Sequence, residues 1–308
     1  MEKVKIRNNE YYFAKGYKND DKLRKSFNEL AEAIFCIDFE SWYKSGYWKD
    51  RYIPYSIISD DKVVANASAN IIYFNLSGEY KLFIQIGTVM TGKDYRGRGL
   101  SRFLIEKIIS EWKDKSDMIY LFANDSVLDF YPKFGFKKEN EYIFYKSIDE
   151  QLDMGMKKDK GIKEKSYEKL DMDDDKNREF VYRKVFSSTA NAELSMIKNS
   201  DLIMFYCISL MKENIYYFKD IDTIVIAEIE GDNLVIDAVY SDVEVDLDCI
   251  MERLADKRIR RVIFGFTPKD TSSYESELYH EDDTTLFVLG GSSVFRENKI
   301  KFEPLSHA

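Results

Sequence analysis

The sequence predicts an α/β protein, mixed sheets flanked by helices, arranged as two domains in tandem. Three observations carry this. At 308 residues the chain is about twice the size at which one domain commonly closes. Segments with apolar residues at helical spacing alternate with short strand-type runs in both halves. Between them, Ser147 to Asn177 is polar and rich in charge clusters, including Lys157 to Lys160 and Asp171 to Lys176. This places a boundary near residue 160, giving domains 1–160 and 161–308.

In the first half, Asp21 to Phe35 carries Leu23, Phe27, Leu30, Ala31 and Ile34 at helical spacing, and Asp38 to Tyr43 reads as a second, short helix. Tyr55 to Ser59, an Asp60-Asp61 turn and Val63 to Leu76 form a predicted hairpin. Ser77-Gly78-Glu79 turns the chain into the strand Lys81 to Thr91. A helix follows from Leu100 to Trp112, with Phe103, Leu104 and Ile108 on its apolar face. Met118 to Ala123 is a buried-type strand. Ser126 to Phe134 reads as a short helix ended by Gly135, and Tyr142 to Tyr145 as a closing strand.

The second half repeats this order. After helical stretches that include Ser200 to Lys212, Thr223 to Glu230 turns at Gly231-Asp232-Asn233 into Leu234 to Tyr240. The helix Leu247 to Ala255 and the strand Arg260 to Phe266 follow. Hairpin, loop, helix and strand recur as in residues 63–123, which points to a structural duplication without close residue identity.

Composition narrows the function. The first 150 residues hold 24 Lys and Arg against 23 Asp and Glu; the remainder hold 22 against 32. No basic stripe suited to nucleic acid appears, and an acidic half suits cationic substrates or simply solubility. The amino end reads as polar rather than as a signal peptide. The longest apolar run, Leu202 to Met211, is half the ~20 residues that span a bilayer. Cys36, Cys207 and Cys249 are scattered, and His280 and His307 are the only histidines. A cytoplasmic protein with free thiols, no membrane partner and no metal site is expected.

The chemistry concentrates in one loop. A strand ending in Val89-Met90-Thr91 runs through Gly92-Lys93-Asp94-Tyr95 into Arg96-Gly97-Arg98-Gly99 and then directly into the Leu100 helix. Unpaired amides and the helix dipole make such a terminus an anion site. Gly97 and Gly99 allow close backbone approach. Lys93, Arg96, Arg98 and Arg102 add positive charge, a set suited to a pyrophosphate. No Gly-Lys-Ser/Thr follows, which excludes a Walker loop, and Arg102 stands where a dinucleotide fingerprint needs a small residue.

Val89 to Leu104 resembles the acyl-CoA signature of the GNAT superfamily of N-acetyltransferases, Gln/Arg-x-x-Gly-x-Gly/Ala, with Arg96, Gly99 and Ser101 at its defined positions. Farther on, Asn124 followed by Phe130-Tyr131-Pro132-Lys133-Phe134-Gly135-Phe136 resembles the family's second element. The resemblance covers about residues 1–150 and implies the GNAT fold. The second half would be a degenerate GNAT-like unit. It further implies acetyl-CoA as cosubstrate, its pyrophosphate on the amides of Gly97, Arg98, Gly99, Leu100, Ser101 and Arg102. Its pantetheine arm would lie along Val89 and Thr91 and reach Asn124, with Tyr131 near the sulfur.

Acetyl transfer to a primary amine, on a small molecule or a lysine, would then use Tyr131 as general acid and an amide near Val89 or Met90 for the oxyanion. Where many members carry a basic glutamate, this chain has Gln85, so no base is assigned. An acyl-CoA sensor without catalysis is the alternative. Gln85, Trp42, Tyr43 and Tyr47 are the candidate acceptor-side residues. In the second half Ser241 to Asp248 holds four carboxylates where a pyrophosphate loop would lie, so no cofactor is expected there. A homodimer is one assembly compatible with this reading.

Overall fold

The structure, a computed structural model, describes residues 1–148, 167–291, 294–295 and 298–307. The boundary expected near residue 160 lies outside the described residues. In chain order the first half contains β1 (Glu2–Ile6), β2 (Asn9–Lys15), α1 (Asp21–Phe35), α2 (Glu40–Lys44), β3 (Tyr52–Ser59), β4 (Lys62–Leu76), β5 (Glu79–Thr91), α3 (Leu100–Trp112), β6 (Met118–Ala123), β7 (Lys137–Lys138) and β8 (Tyr142–Ser147). The second contains β9 (Glu168–Lys169), α4 (Asp175–Ser187), β10 (Leu194–Met196), α5 (Ser200–Ile208), β11 (Ile215–Phe218), β12 (Thr223–Glu230), β13 (Asn233–Tyr240), α6 (Leu247–Leu254), β14 (Arg261–Phe264), β15 (Glu275–Leu278) and β16 (Thr285–Leu289).

The mixed α/β class and the repeated order hold. In the first half, the antiparallel β4–β5 pair leads through α3 into β6, which runs parallel to β5. In the second, the antiparallel β12–β13 pair leads through α6 into β14, parallel to β13. A parallel partner requires a crossover, and the helix supplies it. The Asp20 carboxylate starts α1 by accepting from the amides of Lys22 and Leu23, both at 3.1 Å, a cap worth ~1 kcal/mol. Leu23, Phe27 and Ala31 are then buried one turn apart.

Pairing departs from the sequence reading in three places. Glu2–Lys15 forms a hairpin at the edge of the first sheet, although its residues read only as polar. Ser126 to Phe134, expected as one helix, is two 3₁₀ turns, Asp125–Val127 and Tyr131–Phe134. Pro132 and the left-handed Gly135 (φ 90°) limit the second turn's length.

The third departure is an exchange of strands. β8, expected to close the first sheet, pairs with β14 and β15 in the second. β16, from the far end of the chain, takes the place beside β6, from Thr285↔Ala123 to Leu289↔Ile119. β10 adds to β4 at Phe74–Leu76, past the stretch paired with β3. A strand's own pattern states that it is buried, not which edge it joins, so this exchange leaves no local signature.

The segment Ile300–His307 fills the space between the two halves. Phe302 is fully buried and stacks on Tyr120, ring centroids 4.2 Å apart. Its amide donates to the buried Glu141 carboxylate at 2.8 Å, and Tyr120 donates to the Ser306 carbonyl at 3.0 Å. These bonds deliver His307 to the mouth of the site. Among the described residues no helix is long and apolar enough to cross a membrane.

Candidate active site

The site begins where two strands part. β5 and β6 pair from Phe83↔Met118 to Gln85↔Tyr120 and no farther, yet β5 continues to Thr91 and β6 to Ala123. On its other edge β5 carries a bulge. The register jumps from Ser68↔Gly87 to Asn66↔Met90, so Thr88 and Val89 together face Ala67. Thr88 adopts φ 48°, a left-handed conformation costly for a β-branched residue.

A buried polar network holds that strain. Asn66, fully buried, donates from Nδ2 to the Thr88 carbonyl and to Ser68 Oγ, each at 2.9 Å. Its Oδ1 accepts from Ser56 Oγ at 2.7 Å, and Ser56 meets the Tyr17 hydroxyl. Thr88 Oγ1 meets the Tyr52 hydroxyl at 2.6 Å. Asn66→Val removes three of these bonds and strands their partners in the core, an expected loss of about 2–4 kcal/mol. Thermal unfolding checks this: the midpoint should fall by roughly 5–10 °C.

The cleft between the parted strands has a volume of about 610 Å³ and is walled by β5 residues from Gln85 through Val89, Met90 and Thr91, by Arg96 and Ser101, and by Phe122, Asn124, Tyr131 and His307. It leads to a second hollow at the start of α3, lined by Arg7, Arg96, Gly97, Gly99, Leu100, Ser101 and Arg102. No side chain caps α3; its N-cap is Gly99, at φ 85°. The first amides of α3 are therefore left to an external acceptor. Thr91 Oγ1 and Ser101 Oγ meet at 2.8 Å, tying the strand end to the helix start.

The cations differ from the expected set. Arg96 and Arg102 face the hollow. Arg98 instead folds back, donating to the Asp94 carbonyl at 2.7 Å and lying over the Tyr95 ring, and Lys93 lines neither cavity. The place is taken by Arg7, from the β1–β2 turn, which donates to the Gly97 carbonyl at 2.8 Å. A side chain at Gly99 would begin 3.3 Å from Arg7 Nε. Arg7 lies some ninety residues from the loop, and only the N-terminal hairpin, legible from Val4, Ile6, Tyr11 and Phe13, could have pointed to it.

At the other end, Tyr131 is buried among Phe130, Phe136 and Phe287. Burial pushes its hydroxyl up to about 12, so it stays protonated. The Asn124 Nδ2 donates to Asp283 Oδ2 at 2.9 Å, and the Asp125 amide to Asp283 Oδ1 at 2.7 Å. Asp283 precedes β16, so the second half orients Asn124 and, through Phe287, packs Tyr131.

Gln85 is buried in the cleft wall, its Nε2 donating to the Ile86 carbonyl at 3.2 Å. Trp42 lines an apolar cavity beside the cleft. Tyr43 and Tyr47 face elsewhere: Tyr43 lies under the Arg24 guanidinium at 3.6 Å, and Tyr47 stacks on Tyr182 at 5.6 Å. Aromatic density located this wall, but α2 is too short for periodicity to say which rings turn inward.

Two histidines in the sequence suggest no metal site, yet one of them, His307, lines the cleft. Its ring stacks on Phe122, and Nε2 is buried without a hydrogen-bond partner. Burial, with the Lys301 charge second, holds it well below its ordinary pKa. Its ring is neutral at physiological pH.

The corresponding helix start in the second half differs. The Asp246 carboxylate itself accepts from the Asp248 amide at 3.0 Å at the head of α6. Asp242 is tied to Lys184 and Ser187 at 3.0 and 2.7 Å.

The family model for the acetyltransferase (GNAT) domain matches residues 21–138. No curated protein matches the sequence. Among solved structures, a conserved protein of unknown function from Enterococcus faecalis V583, described as a probable N-acyltransferase, is 16% identical. It aligns over 90% of this chain and 71% of its own at TM-score 0.57. A GCN5-related N-acetyltransferase from Kribbella flavida is 15% identical over 92% and 72%, TM-score 0.56. Eis1 from Mycobacterium abscessus is 11% identical over 90% and 72%, TM-score 0.53. These likenesses show the fold, and they extend through both halves of the chain.

Proposed function

We propose, for a chain that carries a GNAT acetyltransferase domain and is an acyltransferase, that it transfers acetyl from acetyl-CoA to a primary amine. The observation that carries this is continuity: one cleft joins the uncapped α3 terminus with Arg7, Arg96 and Arg102 to the buried hydroxyl of Tyr131. The donor set suits a pyrophosphate, with guanidiniums around unpaired amides. The opening between β5 and β6 suits an extended arm with amide groups of its own. At the corresponding helix start of the second half Asp246 itself caps α6, so one cofactor per chain is expected. Cytoplasmic residence fits a diffusible acetyl-CoA pool.

His307 answers the missing glutamate. Among the described residues lining the cleft, Arg96, Tyr131 and His307 are the titratable side chains, and only His307 offers a neutral ring nitrogen as acceptor, a weak base because burial holds its pKa down. As the amine nitrogen bonds to the thioester carbon and the carbon–sulfur bond breaks, the nitrogen's excess proton passes to His307 Nε2. The Tyr131 hydroxyl donates to the departing sulfur. An amide near Val89 or Met90 faces the carbonyl oxygen.

The alternative, an acyl-CoA sensor, is favoured by Gln85. An amine panel followed by thiol release separates the two: acetyl-CoA binding without turnover of any amine would leave the sensor. His307→Gln is expected to lower kcat roughly 10²-fold with acetyl-CoA affinity intact. Wild-type turnover in this variant would remove His307 from proton transfer.

A further inference from the structure

We infer that the acceptor is a primary amine carried on a ring-sized apolar body, which docks in the cavity between α1, α2 and α5 with its nitrogen at Thr88 and His307. The inference rests on the acetyl-transfer reading above and adds the class of acceptor.

This cavity, about 240 Å³, abuts the cofactor cleft. Phe35, Thr88 and His307 line both, so an amine leaving one enters the other. Both halves build it, with Trp42 and Tyr52 on one side and Leu202 and Phe205 on the other.

Apart from His307 Nε2, which faces the cofactor cleft as well, the polar side chains of its wall are engaged within the protein. The Tyr52 hydroxyl meets Thr88 Oγ1 at 2.6 Å, and Trp42 Nε1 donates to the Asp201 carbonyl at 2.8 Å. The Tyr206 hydroxyl donates to the His307 carbonyl. No carboxylate lines the cavity among the described residues. Asp201, on α5, is held by Lys49 at 3.1 Å and Tyr182 at 3.0 Å. The acidic balance of the second half therefore does not reach this pocket, contrary to a reading that links it to cationic substrates.

The ring faces are equally engaged. Phe39 stacks on Phe205 at 5.3 Å and on Tyr52 at 5.6 Å, and Trp42 stacks on Trp48 at 5.7 Å. A cage for a second ammonium needs open faces, and an unpaired charge is costly to bury. A polyamine would bring such a charge into the cavity; a ring or branched hydrocarbon would not.

The test compares 2-phenylethylamine and tryptamine with putrescine and spermidine at saturating acetyl-CoA, with products identified by mass. The ring amines should lead in kcat/KM by roughly 10- to 100-fold, the gain from burying one aromatic side chain. Leu210, 62% exposed, lines the cavity. Leu210→Asp should raise KM for 2-phenylethylamine roughly 5-fold and narrow its lead over spermidine, with acetyl-CoA affinity by calorimetry unchanged. Spermidine equal to or better than the ring amines overturns the apolar-body inference and leaves acetyl transfer standing. So does a KM for 2-phenylethylamine that Leu210→Asp does not move. Failure to bind acetyl-CoA at all overturns the underlying reading as well.

Discussion

Tyr131→Phe should lower kcat roughly 10²- to 10³-fold and leave acetyl-CoA affinity unchanged. The ring keeps its contacts with Phe130, Phe136 and Phe287, so the variant removes one oxygen and no packing. Burial, pushing the hydroxyl up to about 12, decides how it acts. A thiol near 8.5 lies about 3.5 units lower, so a completed proton transfer to the thiolate is uphill by roughly 5 kcal/mol. A hydrogen bond to the departing sulfur needs no such transfer and is worth most in a dry site. The same shift fixes the sign of the pH dependence. The hydroxyl is in its donating form until the pH approaches 12, so turnover should rise with amine deprotonation and show no alkaline fall below about pH 10. Steady-state kinetics across pH 6–10 check both points. A variant with wild-type turnover would take Tyr131 out of the chemistry.

Gly99→Glu should abolish acetyl-CoA binding, with an affinity loss of at least about 100-fold. Three effects act together. The φ of 85° disfavours any side chain. The new Cβ would lie 3.3 Å from Arg7 Nε, so the Arg7 side chain must give by a few tenths of an ångström. A carboxylate would then stand at the helix start, where a pyrophosphate is expected. Two like charges about 4 Å apart cost ~4 kcal/mol at an effective dielectric of 20, more than the ~2 kcal/mol a helix terminus offers at best. Gly99→Ala separates these contributions, because it keeps the strain and the contact and omits the charge. Calorimetry on both variants, with circular dichroism to establish folding, measures the effect. Undiminished binding by Gly99→Glu would move the cofactor off this loop.

The parts of the site legible in the sequence are those built from contiguous residues. The loop from Arg96 to Ser101 announces itself because a strand end, two glycines and a helix start must be adjacent to make an anion site. Asn124 and Tyr131 follow β6 in the same way. What local pattern could not supply is whatever comes from far along the chain. Arg7, Asp283 and His307 reach the cleft through pairing and threading that no local pattern encodes. The bulge at Thr88 is one extra residue in an otherwise continuous apolar strand, visible only once Asn66↔Met90 and Ser68↔Gly87 are paired. The β8 and β16 exchange has the same cause: Tyr142 to Tyr145 reads as a strand and Thr285–Leu289 is not singled out at all, because a strand's partners depend on the whole fold. It also gives the second half a share in the site, through Asp283 beside Asn124 and Phe287 beside Tyr131.

Titration of the wild-type protein with acetyl-CoA in a calorimeter tests the central claim most directly. One acetyl-CoA per chain is the predicted result, with affinity falling as salt rises because guanidiniums hold the phosphates. Two per chain would place a second site in the half whose helix start is capped by Asp246. No binding at all would contradict the assignment of the Arg96–Ser101 loop and the proposed reaction with it.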